Sequence, residues 1–215
     1  MAGKRESNKR QTRKSIMEAA VRLFGEKGFD HTSIEELAQA AGIGKGTIYT
    51  YFRTKNDILY AFCEDGLELI RQELEPDRDL TLLEKLLTLF QSEFRYFSRN
   101  RDFGRLYMQE AVFPRPADLD AHLALDNRYF DLMFPMFQQA MDRGELRRDL
   151  EPLHIAGHFY GLYIMTVSAW YSGYLNSESE IFKAMQTLFR QALDGLAPSL
   201  VNNTTLKTIA MGEIR

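Results

Sequence analysis

At 215 residues with 45% hydrophobic composition, the chain can bury a sizeable core as one large or two small domains. A single cysteine, Cys63, excludes an intrachain disulfide framework; no stretch reaches the roughly 18 apolar residues that span a bilayer, and the first fourteen residues lack a secretory core, so a cytoplasmic protein is expected. The formal net charge is only −3, but residues 1–60 hold eleven Lys/Arg against seven Asp/Glu (+4), which leaves −7 on residues 61–215. A basic end on an acidic body is the asymmetry of a chain whose first sixty residues meet a polyanion.

Strand patterning is almost absent, and helical punctuation recurs, so an all-α fold of about nine helices is expected. Ile16, Ala20, Leu23 and Phe24 share one face of a first helix over about 11–27, stopped by Gly28 and preceded by a flexible basic arm over 1–11. Thr32 with Glu35 reads as a capping box for a second helix that buries Ile34, Leu37, Ala38 and Ala41. Gly42 ends that helix. The chain then restarts with Ile48, Tyr51 and Phe52 facing inward and Lys45, Gly46, Thr47, Tyr49 and Thr50 facing outward. Thr54 to Asp57 opens a fourth helix that ends before Pro76. Two short helices joined by a glycine turn and braced by a longer helix are the parts of a helix-turn-helix over 12–55.

Residues 56–198 read as a helical body. Thr81 with Glu84 caps a helix carrying Leu82, Leu86, Phe90, Phe94 and Phe97, and a shorter helix over about 102–113 stops at Pro114. A long helix over about 117–143 contains Pro135, which is expected to kink it. Pro152 starts a further helix to about Tyr174, and Ser177 caps the last one, closed by Gly195 and Pro198. Residues 199–215 have no apolar stripe and are expected to be disordered.

This body is rich in Met and aromatic side chains: Phe103, Tyr107, Met108, Phe113, Tyr129, Phe130, Met133, Phe134, Phe137, Tyr160, Tyr163, Met165 and Trp170. Core packing accounts for most of them. A roomy apolar pocket for a hydrophobic or aromatic effector needs the same residue types, and Met108, Phe134, Phe137 and Tyr163 are the ligand-binding candidates. His154 and His158 stand at i, i+4 but lack a matching carboxylate or cysteine motif, so no metal or cofactor is expected. No nucleophile–base order, phosphate loop or HExxH motif supports catalysis. The alternative to a DNA-binding regulator is an all-helical small-molecule-binding protein or enzyme without a DNA role.

The stretch "TSIEELAQAAGIGKGTIYTYFRTKNDIL" resembles the DNA-binding signature of the TetR family of bacterial transcriptional regulators, and "GELRRDLEP" before two long helices resembles the later part of that fold. The resemblance implies a homodimer joined through its last two long helices, with the third helices entering successive major grooves of double-stranded operator DNA. It also implies a body cavity whose small-molecule effector releases the DNA, as in a repressor. Residue chemistry assigns the contacts. Lys45 suits a base edge or phosphate, Gly46 lets the backbone approach the duplex, and Thr47, Tyr49 and Thr50 suit phosphate, sugar or a thymine methyl. Lys55 at the fourth helix and Thr32 and Ser33 at the second suit phosphates at helix starts. Arg5, Lys9, Arg10, Arg13 and Lys14 can reach the minor groove or flanking phosphates.

Overall fold

The computed structural model describes residues 2–74 and 79–196. Among them are nine α-helices and one 3-10 turn: α1 Ala2–Lys27, α2 Ile34–Ala40, α3 Lys45–Ile48, α4 Lys55–Glu73, α5 Leu82–Ser98, α6 Arg101–Val112, the turn Pro116–Asp118, α7 Leu119–Asp142, α8 Pro152–Tyr171 and α9 Glu178–Leu196. The expected tail over 199–215 lies outside the described residues.

Two local expectations are corrected. The basic segment before residue 11 is not a loose arm but the first turns of α1. Its Glu, Lys, Arg and Gln are good helix formers, with no proline to stop propagation. The cap of α2 also sits one residue later than expected. Ser33 is the N-cap: its hydroxyl accepts from the Glu36 N–H at 3.2 Å, and the Glu36 carboxylate accepts from the Ser33 N–H at 2.8 Å. Thr32 is instead buried, its hydroxyl donating to the carbonyls of Leu23 (3.2 Å) and Gly28 (2.8 Å). Those carbonyls lie in the last turn of α1 and just past its end, so the hydroxyl ties the start of α2 to the close of α1. The boxes at Thr54/Asp57 and Thr81/Glu84 form in the expected register.

Two hydrophobic clusters organise the chain. The first gathers Ile16, Leu23, Phe24, Leu37, Ile48 and Phe52 around the helix-turn-helix, and it also takes Ile58 and Leu59 from α4 and Phe103 from α6. The second fills the body between α5, α7, α8 and α9 with Leu86, Phe90, Phe137, Phe159 and Phe189. α4 passes from one to the other. Phe62 and Tyr107 pack against both clusters, and the Phe62 ring lies 4.6 Å from Phe103 and 6.3 Å from Tyr107, centroid to centroid. Edge-on aromatic contacts of this kind contribute about 0.5–1.5 kcal/mol each beyond their buried area. Head and body are therefore joined by packed aromatics rather than by a loose linker.

Candidate nucleic-acid interface and effector cavity

Between α2 and α3 the chain reverses at Gly42, whose φ of +70° is a left-handed conformation that favours glycine. Gly44 follows as N-cap of α3. Beyond Ile48 the helix tightens: the N–H of Thr50 donates to Thr47 O at 3.1 Å and that of Tyr51 to Ile48 O at 3.0 Å. Ile48 and Phe52 are buried beneath this turn, while Lys45, Gly46, Thr47, Tyr49 and Thr50 lie exposed on its outer side. Tyr49 leaves 47% of its surface in solvent. A Cβ built on Gly46 would meet nothing within 4 Å, so nothing inside the molecule requires glycine there.

The lysines divide. Lys45 pairs with Glu35 of α2 on the exposed surface, which raises the lysine pKa and lowers that of the glutamate. An exposed pair of this kind is weak and screened by salt, so a phosphate can displace Glu35. Lys55 is turned inward: its Nζ donates to the Phe29 carbonyl at 2.6 Å and sits 4.6 Å from the centre of the Phe29 ring. Burial lowers its pKa. Of the eight DNA-contact candidates, six (Ser33, Lys45, Gly46, Thr47, Tyr49 and Thr50) lie on or beside one accessible surface; the side chains of Thr32 and Lys55 brace the head from within. Thr50 also donates its hydroxyl back to Thr47 O at 2.7 Å. Arg53, part of the quoted signature but not among the assigned contacts, is exposed just beyond the same turn. On α1, Arg5, Lys9, Arg10 and Lys14 are exposed, whereas Arg13 grips Asp65 of α4 with two hydrogen bonds of 2.8 and 3.0 Å.

In the body a cavity of about 430 Å³ opens between α4, α5, α6, α7 and α8. Its walls include Cys63 and Leu67 from α4, Tyr107 and Val112 from α6, His122, Asp126, Tyr129, Phe130 and Met133 from α7, and Ala156 and Tyr160 from α8. None of the expected pocket residues lines it. Met108, Phe137 and Tyr163 are buried in the body core, and Phe134 stacks on Phe130 with ring centres 5.3 Å apart. The error is one of helical phase: the cavity takes Tyr107 rather than Met108, Phe130 and Met133 rather than Phe134 and Phe137, and Tyr160 rather than Tyr163. Helical periodicity separates inside from outside, but core and cavity are both inside.

The polar group that the sequence left unnoticed is Glu93 of α5. It is buried, with 6% exposure, and forms part of the cavity wall. Tyr107 donates to its Oε1 at 3.1 Å and Tyr129 to its Oε2 at 2.6 Å. Burial pushes its pKa up to about 7, and the two phenols oppose that rise. A lone glutamate in "FQSEFRYF", at a position where the helical stripe wants an apolar residue, was the available signal. Cys63 donates to Leu59 O at 3.2 Å, and burial raises its thiol pKa, so it behaves as an inert wall residue. Among the described residues no helix is long and apolar enough to cross a membrane.

The family model for "Bacterial regulatory proteins, tetR family" matches residues 16–62, the segment that contains α2, α3 and the start of α4. Residues 16–62 carry the DNA-binding domain of the TetR family. The chain is a DNA-binding transcriptional regulator, and its relatives are regulators rather than enzymes. It is 23% identical over 167 residues to the fatty acid metabolism regulator protein of Bacillus subtilis, covering 75% of this chain and 84% of that one. To the regulator AcrR of Shigella flexneri it is 36% identical over 93 residues, 40% of this chain and 43% of that one, so the alignment spans less than half of that relative. Among solved structures, FadR of Bacillus subtilis in complex with stearoyl-CoA superposes with a TM-score of 0.72 at 20% identity, covering 85% of this chain and 98% of that one. A TetR-family regulator from Syntrophomonas wolfei gives 0.75 at 21% identity, covering 90% and 100%. These two likenesses carry the fold.

Proposed function

We propose that this chain is a homodimeric repressor that holds operator DNA through the outer side of α3 and is released when a small, largely apolar effector enters the body cavity. The observation that carries this reading is that cavity and head are built from the same pieces. α4 gives Ile58 and Leu59 to the head cluster and Cys63 and Leu67 to the cavity wall. Tyr107 bonds Glu93 in the cavity and packs against the head cluster.

A second link supports it. Arg115 pairs with Asp30 of the head at 3.0 Å and lies 4.7 Å from the Phe29 ring, while Asn56 of α4 donates to Asp118 at 2.5 Å. One turn after Asp118, α7 presents His122, Leu125 and Asp126 to the cavity. A ligand that parts α6 from α7 therefore pulls on the start of α4 and on the Phe29 corner together. Transmission of this kind needs discrete packed elements, which the aromatic junction supplies.

Lys45, Thr47, Tyr49 and Thr50, with the bare backbone at Gly46 and the Ser33 hydroxyl, are the operator contacts in this reading. Dimerisation is assigned to α8 and α9. On α8, Leu153 and Met165 are more than half exposed, and Gly157 and Gly161 between them have open space where a Cβ would stand, which suits close approach of a second helix. The test is binding of purified protein to the duplex upstream of its own gene at graded salt, followed by a screen for compounds that release it. The reading expects tight binding that weakens steeply with salt. No affinity at low salt would overturn it.

A further inference from the structure

We propose that the cavity selects effectors carrying a positive charge, a quaternary ammonium or comparable lipophilic cation, held by the Glu93 carboxylate inside a box of aromatic rings. The inference rests on the reading of this cavity as the effector site and adds the chemical class of its ligand. The supporting geometry starts with what Glu93 lacks. Both its oxygens receive phenol hydrogens from Tyr107 and Tyr129, yet among the described residues no lysine, arginine or histidine pairs with it.

A buried carboxylate without a cation is costly, and two neutral donors offset only part of that cost. Around it stand Tyr107 from α6, Tyr129 and Phe130 from α7 and Tyr160 from α8, whose faces attract cations. The other titratable groups turned toward this region are Cys63 from α4 and His122 and Asp126 from α7, with Asp126 adding a second acid. No lysine or arginine lines the cavity. The site thus offers a carboxylate and π-faces to a cation, and among the described residues only His122, already paired with Asp126, to a fatty carboxylate or to the phosphates of an acyl-coenzyme A. If Glu93 served only to hold two tyrosines, an uncharged acceptor in its place would do so without the burial cost.

The experiment compares four probes with one tail length by calorimetry on the full chain: decyltrimethylammonium, decanol, decanoate and decanoyl-coenzyme A. The cation should bind at least about tenfold more tightly than decanol, with the two anions weakest. Glu93→Gln should erase the preference for the cation over decanol, and Glu93→Asp should keep part of it. Equal or tighter binding of decanoate or decanoyl-coenzyme A overturns the proposal, as does a Glu93→Gln protein that still prefers the cation, or failure of all four probes to bind. A cation that binds through Glu93 without changing duplex affinity leaves this site standing and overturns the effector role proposed for it.

Discussion

The reading head and the effector body use buried and exposed residues in opposite ways. In the head, everything chemically interesting is outside, and the interior is ordinary packing of Ile, Leu and Phe. In the body, the distinctive chemistry is inside, at a glutamate bonded by two phenols. An exposed site keeps its side chains small and costs little stability, whereas a buried polar site draws on stability until its ligand arrives. The contrast explains why the two regions respond to substitution so differently.

The largest expected effect falls on the junction. Phe103 is almost fully buried among Phe24 and Phe62, and Phe103→Ala should cost about 3–5 kcal/mol in denaturant unfolding. If the loss is confined to one transition while a second is untouched, head and body are less tightly joined than described here.

Next in size is the pH dependence set by Glu93. Its pKa rises from the ordinary 4.5 to about 7 in the fold, so its burial costs nothing below about pH 4.5, costs progressively more as pH rises to about 7, and levels off above that. Glu93→Gln should therefore gain stability relative to the parent on going from pH 4.5 to pH 8, on the order of 3 kcal/mol, followed by thermal unfolding at both pH values. A gap that stays constant with pH would mean that Glu93 does not titrate in this range.

In the head, Gly46→Leu should fold and melt like the parent, since its Cβ meets nothing, yet weaken duplex binding by roughly 100-fold through lost close approach. The smallest and sharpest comparison sets two lysines side by side. Lys45→Met should leave stability nearly unchanged and lower the salt slope of duplex binding by about one, while Lys55→Met should cost about 1–2 kcal/mol of stability and leave that slope alone. Reversal of the two results would return Lys55 to the DNA contacts.

The same contrast sets what could be read from the chain. Helix order, the caps at Thr54 and Thr81 and the outward set from Lys45 to Thr50 follow from local signals, because caps and glycine turns act over three or four residues. Thr32 and Lys55 have residue types that suit both a helix start and an internal brace, and their bonds to the carbonyls of Leu23, Gly28 and Phe29 could not be read from the local sequence. In the cavity, neighbours such as Tyr107 and Met108 are equally apolar, and only the packing of five helices separates wall from core.

The most direct test of the coupling between cavity and head uses the inertness of Cys63, which is buried and need not be removed. A spin label placed through Gln39→Cys, exposed on α2 and outside the assigned operator contacts, reports the separation of the two heads in the dimer. Adding a compound that releases the duplex should shift that separation by several ångströms, and Tyr107→Ala should weaken the shift. Release of the duplex with no change in separation, or a separation that never responds to any ligand of the cavity, would contradict the account.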